Sequence, residues 1–315
     1  MKAKHVIIYL LLVIVTSSCI RDEAPNAEAD ILSCRLPGIT MTTSPIINNN
    51  SVTLFVTPGT NISALAPEFT LTSGATITPA SGTERNFNSP QEYQVTAADG
   101  IWKNTYPISV IDTELATIYN FEDTISGKKY YIFVERENDK VIMEWASGNA
   151  GYAMTGVAKT ADDYPTFQIA NGKNGKCLSL VTRSTGFFGG LVGMPIAAGN
   201  LFIGSFDVNN AMSNPLQATK FGLPFRHVPT YLAGYYKYKA GDQFTEGGKP
   251  VEGKRDICDI YAIMYETSVS VPTLDGTNAF TSPNLVSMAR IKDAKETDEW
   301  TYFKLPFTTL PGKFI

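Results

Sequence analysis

The chain has 315 residues, 43% of them hydrophobic and 18% charged; that is enough apolar material for a buried core, which excludes disorder for most of its length, and more chain than one average domain uses. Thirty acidic residues stand against 26 basic ones, for a net charge of −4, and no Lys/Arg cluster tracks a phosphate backbone, so nucleic acid is set aside as a partner. Glycine, proline, threonine and aromatic residues are plentiful and long amphipathic helical patterns are not, which predicts an all-β architecture in two domains.

The N-terminus combines a positive Met1-Lys-Ala-Lys-His5, an apolar Val6–Val15 too short for a permanent membrane span, and a small-residue site, Thr16-Ser-Ser-Cys19. This resembles a bacterial lipobox. The resemblance implies a leader over residues 1–18, removed so that Cys19 carries the lipid and acyl chains hold the protein to a membrane. An ordinary secretory leader with an incidental cysteine is the alternative. Arg21-Asp-Glu23 resembles the acidic tag with which some lipoproteins of the outer membrane reach the cell surface. Cys34, Cys177 and Cys258 remain, an odd number without CxxC or Cys/His spacing, so a zinc site has no support and Cys258 reads as a small core residue.

Residues 19–37, rich in charge and alanine, are expected to form a tether, and 38–112 a compact β module. Within it Val52, Leu54 and Val56 alternate, Ala75–Pro79 and Tyr93/Val95 give further strands, and Asp99-Gly100 supplies a tight turn before the returning strand Thr105–Val110. The run Glu92–Gly100 resembles the final hairpin of immunoglobulin-like modules of bacterial surface lipoproteins. That implies a spacer or docking sandwich with Pro107 on an edge strand.

From residue 113 to 315 strand patterns resume at Ile118–Phe121, Tyr130–Val134, Val141–Trp145, Tyr164–Phe167, Cys177–Thr182 and Gly199–Phe206. Two aromatic runs, Tyr231–Lys239 and Asp256–Tyr265, alternate with period two around a polar, glycine-bearing connection, and the second is expected at the middle of a sheet. Asn120-Phe-Glu122, Trp145–Gly151, Tyr164-Pro-Thr166, Gly199–Phe202, Phe221–Phe225, Gly234–Tyr238 and Asp259–Ala262, in that order, resemble the putative carbohydrate metabolism domain family. The resemblance covers about Tyr119 to Phe307 and implies a jelly-roll-like β-sandwich on a lipoprotein linked with polysaccharide use. Family members continue past the Trp300–Phe307 strand, so the terminal strands are expected to be missing here and a sheet edge left open. A structural calcium held by Glu122 with a C-terminal aspartate is a further implication, with Glu122 as a plain strand-end carboxylate as the alternative; no other cofactor is expected.

Sugars are held by aromatic rings against the C–H face of a pyranose, with polar side chains on the hydroxyls. The carbohydrate-binding candidates are therefore Trp145, Asn149 and Tyr152 around a glycine-rich loop, Tyr235 on the face opposite Tyr236 and Tyr238, and Asp259 beside Asp256 and Arg255. For each tyrosine, half-buried packing is the competing reading. Phe187-Phe188 reads either as a sugar platform or as a core plug. Catalysis has thinner support: His227 is the one histidine left after the leader, and there is no Gly-x-Ser-x-Gly elbow and no phosphate loop. A carboxylate pair drawn from Glu122, Glu144, Asp256, Asp259 and Glu266 is the remaining route to hydrolysis. The expectation is thus a lipid-anchored surface protein that binds a polysaccharide or oligosaccharide beside glycan-import or glycan-degrading proteins. A glycoside hydrolase and a structural adhesin are the alternatives.

Overall fold

The computed structural model describes residues 25–268 and 270–314. The leader and the predicted lipid site at Cys19 lie outside the described residues, among which no helix is long and apolar enough to cross a membrane.

The first domain contains β1 (Ile31–Arg35), β2 (Ile46–Asn48), β3 (Ser51–Phe55), β4 (Glu68–Leu71), β5 (Thr76–Thr78), β6 (Gln91–Thr96) and β7 (Lys103–Ile111). β1 pairs with β4, and the other five form a sheet in the order β2-β3-β7-β6-β5, in which β3 and β7 run parallel. Because side chains alternate across a strand, Val52 and Leu54, Tyr93 and Val95, and Tyr106, Ile108 and Val110 all point to one face. They close there over Ile31 and Cys34 of β1 in a single buried core. This is the expected sandwich, with two corrections.

The tether expected over 19–37 is shorter, because β1 begins at Ile31 and Ala29, Ile31, Cys34 and Leu36 are all buried in the core. The charge and alanine content of the segment masked this apolar spacing. Tyr106 pins it further by donating its hydroxyl to Asp30 Oδ1 at 3.0 Å. Pro107 lies on the central strand β7, not on an edge; pairing with β3 starts one residue later, at Ile108, so the missing N–H falls where that ladder has not begun. The Asp99-Gly100 turn is as expected. Gly100 adopts φ +71, and Asp99 Oδ1 accepts the N–H groups of Ile101 and Trp102.

The second domain adds β8 (Val134–Glu137), β9 (Lys140–Ala146), β10 (Thr166–Ile169), β11 (Cys177–Leu180), β12 (Arg183–Ser184), β13 (Ile196–Ala197), β14 (Phe202–Phe206), β15 (Thr219–Phe221), β16 (Tyr231–Tyr238), β17 (Thr245–Glu246), β18 (Lys249–Pro250), β19 (Tyr261–Tyr265), β20 (Leu274–Asp275), β21 (Leu285–Arg290), β22 (Thr297–Pro306) and β23 (Thr308–Thr309). One sheet runs β20-β15-β14-β9-β8 and another β19-β21-β23. The pairs β10-β11, β12-β13, β16-β22 and β17-β18 complete the set. Tyr261 and Tyr265 of β19 reach across to β15: Tyr265 donates its hydroxyl to Phe221 O, and the rings of Tyr261 and Phe221 lie 6.4 Å apart.

The strand expected at Ile118–Phe121 does not form. Phe121 turns the backbone out of the extended region with φ +56 and is held by packing of its ring on Phe133 and Trp145. Tyr130–Val134 contributes only its last residue to a strand. Of Asp256–Tyr265 only the last five residues are strand, and β19 is an edge, with β21 as the middle strand. The two aromatic runs pair not with each other but with β22 and β21, since the connection between them folds into its own small hairpin, β17-β18. At the junction of the domains Lys140 Nζ lies 2.6 Å from Asp112 Oδ1, beside a cleft lined by Phe55, Pro58, Ile142, Leu223 and Arg226.

Burial pushes the Cys34 thiol from 9.0 up to about 12. The folded chain therefore holds this proton where the unfolded chain has lost it, and the contribution of Cys34 to stability, constant below pH 9.0, declines as pH rises from there toward about 12. Mass-spectrometric labelling with a thiol reagent at pH 8 is expected to spare Cys34 in the native protein and modify it only after denaturant is added. Rapid native labelling of Cys34 would contradict the burial of β1.

Candidate functional site

Three of the predicted sugar contacts are occupied by structure. Asn149 opens the short helix α1 (Asn149–Ala153) and is 0% exposed. Its Nδ2 donates to Thr166 O at 2.7 Å and its Oδ1 accepts Thr166 N–H at 3.1 Å, so the side-chain amide pairs with β10 as a strand would. Tyr152 is buried, donates its hydroxyl to Ser184 O at 2.8 Å, and packs edge-on to Tyr164. Asp259 makes a two-pronged contact with Arg290, at 3.0 Å to Nε and 2.7 Å to Nη2, and the guanidinium in turn lies 4.0 Å from the centre of the Phe280 ring. A carboxylate held that way is committed to the domain's own structure.

Trp145, on β9, is partly buried. Tyr119 meets it edge-on at 4.9 Å and Phe121 tilts against it at 5.5 Å. Its indole N–H donates to Glu135 Oε1 at 2.9 Å. Burial raises the Glu135 carboxyl above its ordinary value and the charge of Asp123 adds to this, while the bond from Trp145 works in the other direction. Sequence reasoning passed over Glu135, whose strand reads as a plain charged hairpin.

Tyr235 stands half-exposed on the outer side of its strand. Along β16 exposure alternates strictly, leaving Tyr231, Ala233, Tyr235 and Lys237 outside and Leu232, Gly234, Tyr236 and Tyr238 turned in. β22 pairs alongside with Tyr302 opposite Tyr235 and Lys304 opposite Ala233. Tyr231, Tyr235 and Tyr302 are 50%, 47% and 54% exposed. The rings of Tyr235 and Tyr302 lie 5.3 Å apart and tilted. Lys304 Nζ stands 4.1 Å from the Tyr231 ring centre, and Lys237 Nζ 5.4 Å from that of Trp300. At roughly 3.3 Å per residue the stripe from Tyr231 to Lys237 is about 20 Å long. The missed half of this face was legible as alternation in β22, where Trp300, Tyr302 and Lys304 interleave with Thr301, Phe303 and Leu305.

A third element overhangs the face. The loop between β10 and β11 places Lys173 Nζ 4.1 Å from the Tyr235 ring centre. The loop is fixed from below by Glu122, whose Oε1 accepts Lys176 N–H at 2.9 Å, and by Gln168 Nε2, which donates to Phe121 O and Glu122 O at 2.7 and 3.0 Å. Gly175, at φ +74, passes so close that a Cβ there would collide with the Glu122 carboxylate. This contact is the role the structure gives Glu122. Among the described residues no three His, Cys, Asp or Glu side chains gather, and one oxygen of Glu122 accepts the Lys176 N–H.

The other candidates disperse. Phe187 and Phe188 sit on the short helix α2 (Gly186–Leu191) at 83% and 44% exposure, so neither plugs the core. Arg255, beside Asp256, pairs with Glu296 at 2.6 Å. Glu266 lies 4.0 Å from Lys313 Nζ. Asn149→Ala would leave both backbone groups of Thr166 without their partner in a buried site, at roughly 1–3 kcal/mol each. Urea denaturation is expected to show that loss, and an Asn149→Ala protein of unchanged midpoint would contradict the structural role assigned here.

Residues 120–315 match the Putative carbohydrate metabolism domain family and residues 31–110 match the family described as SGBP, N-terminal. Among solved structures, a putative glycoside hydrolase from Bacteroides thetaiotaomicron VPI-5482 is 84% identical, with a TM-score of 0.90 over 94% of this chain and 86% of that one. A putative glycoside hydrolase from Bacteroides vulgatus ATCC 8482 is 48% identical, with a TM-score of 0.58 over 62% of this chain and 80% of that one. No curated protein matches. The two domain types point to a glycan-related protein of the surface-binding kind. With its family match spanning more than half of the sequence and following the exposed-face domain from end to end, the chain belongs to the Putative carbohydrate metabolism domain family.

Proposed function

We propose that this protein is a lipid-anchored, cell-surface carbohydrate-binding protein whose contact surface is the outer face of β16 and β22. The observation that carries the reading is the exposure of Tyr231, Tyr235 and Tyr302 on one strand pair beside Lys173, Lys237 and Lys304. Tyrosine rings so placed cover the apolar C–H face of a sugar, and ammonium groups donate to ring hydroxyls at their edges. A stripe about 20 Å long suits a chain of sugar rings better than a single one. Binding at such a shallow face is weak per site and gains from many tethered copies meeting one polymer. Anchorage through Cys19, with the N-terminal sandwich as spacer, supplies that arrangement.

Hydrolysis is the second reading, favoured by Glu135. Burial, with the charge of Asp123 adding to it, raises its carboxyl above its ordinary value, as an acid catalyst needs, and the indole N–H of Trp145 bonds it. Against it, Glu135 is already bonded to Trp145 and the aromatic stripe is on other strands.

Isothermal titration of the mature chain against a panel of oligosaccharides, with reducing ends counted in parallel, separates the readings. Tyr235→Ala and Tyr302→Ala are each expected to weaken retention roughly ten-fold, the equivalent of about 1.4 kcal/mol, without altering thermal stability much. Release of reducing ends that is lost in Glu135→Gln and kept in Tyr235→Ala would overturn the binding reading in favour of hydrolysis.

A further inference from the structure

We propose that the saccharide taken by the β16–β22 face is anionic, carrying uronate carboxylates or sulfate esters that meet Lys173, Lys237 and Lys304. This deepens the reading above and rests on it. Three ammonium groups come to the stripe from three separate elements: the β10–β11 loop, β16 and β22. None of them has a carboxylate within salt-bridge distance among the described residues, although eight other Lys or Arg side chains do. In a chain of net charge −4, the stripe thus carries three cations along its length that are not held by acidic partners of the protein's own.

The acids nearby are Glu122, which accepts the N–H of Lys176, and Asp298 and Glu299, exposed in the irregular stretch of β22 opposite Lys237; none of them comes within salt-bridge distance of the three ammoniums. The only partners the three ammoniums have are rings: Lys173 lies over Tyr235, Lys304 over Tyr231 and Lys237 over Trp300. Cation–π contacts at exposed sites are weak. A sugar stacking on those rings displaces the ammoniums from them. If the sugar is neutral, that cost is returned only by hydroxyl contacts; if it carries a carboxylate or sulfate, each displaced lysine turns to an opposite charge at the rim of the same ring. The spacing fits a polymer charged at intervals, since Lys304 and Tyr231 stand at one end of the stripe and Lys237 and Trp300 at the other.

The position of Lys173 is built, not incidental. Glu122, Gln168 and the left-handed Gly175 together fix the loop that carries it over Tyr235. Glu122 is thus a positioning residue for a cation that itself faces the ligand.

Titration of the mature chain with an oligogalacturonate, a sulfated galactan oligosaccharide and a neutral galactan oligosaccharide of equal length, at low and high NaCl, tests the proposal. Affinity for at least one of the two anionic probes is expected to exceed that for the neutral one by roughly ten-fold at low salt, because several exposed charge pairs form at once, and to fall as salt screens them. Which anionic probe wins distinguishes carboxylate from sulfate. Combined Lys173→Gln, Lys237→Gln and Lys304→Gln substitutions are expected to erase the preference for the anionic probe and its salt dependence, while the neutral probe, which loses only hydroxyl contacts, is weakened less than the anionic one. Equal, salt-independent affinity for all three probes would overturn the anionic assignment while leaving carbohydrate binding intact. Absence of binding to these probes and to the full neutral panel would remove the reading on which it rests.

Discussion

Everything proposed for this molecule depends on the two-sided character of β16. One face of the strand must be apolar enough to close the second domain, and the pleat then sends every other side chain outward whether or not the fold needs it. Leu232, Tyr236 and Tyr238 satisfy the first requirement. Residues 231, 233, 235 and 237 are consequently free of packing duty, and a fold alone would be served equally well by small polar residues there. Instead the positions hold two tyrosines and a lysine, and β22 meets them with Trp300, Tyr302 and Lys304 on the same side. Aromatic surface left in water is an expense to solubility, which makes its concentration on one strand pair informative in a way that a single exposed ring is not.

The loop above that face shows how the domain turns a flexible side chain into a directed one. Lysine has a long stem with many rotamers, and its placement over Tyr235 would mean little on a mobile loop. Here the loop is short, closed by a Gly172 N–H to Gly175 O bond of 2.9 Å, and fastened to the segment before β8 through Glu122. The same segment bends at Phe121 into the left-handed region and is held there by the aromatic cluster around Trp145. Trp145, Glu135 and Tyr119 therefore support the binding face from a distance, through Phe121 and Glu122, without touching it.

Much of the architecture was legible in the residues. Alternation gave β3, β6, β7, β9 and β16 within a residue or two, and Asp99-Gly100 fixed a hairpin through its need for a positive φ. What failed did so for physical reasons. β1 was hidden because four core side chains, Ala29, Ile31, Cys34 and Leu36, sit in a segment whose average composition is that of a linker. Ile118–Phe121 looked extended because nothing local announces that Phe121 is held at φ +56 by rings distant in sequence. For the site, a glycine-rich loop pointed to Trp145, Asn149 and Tyr152 and a charged strand entry to Asp259, and each has a partner within the protein. Tyr235 differs from them only in what lies across the sheet, and pairing partners such as Tyr302, 67 positions later in the chain, are not readable from local pattern. Lys173 was out of reach for the same reason.

The most direct test is a crystal structure of the mature chain soaked with an oligosaccharide that it retains. The account predicts sugar density stacked on Tyr235 and Tyr302, with the ammonium of Lys173 swung from the ring to the ligand. Density confined to the cluster of Trp145, Tyr119 and Glu135, with the outer face of β16 and β22 bare, would contradict it.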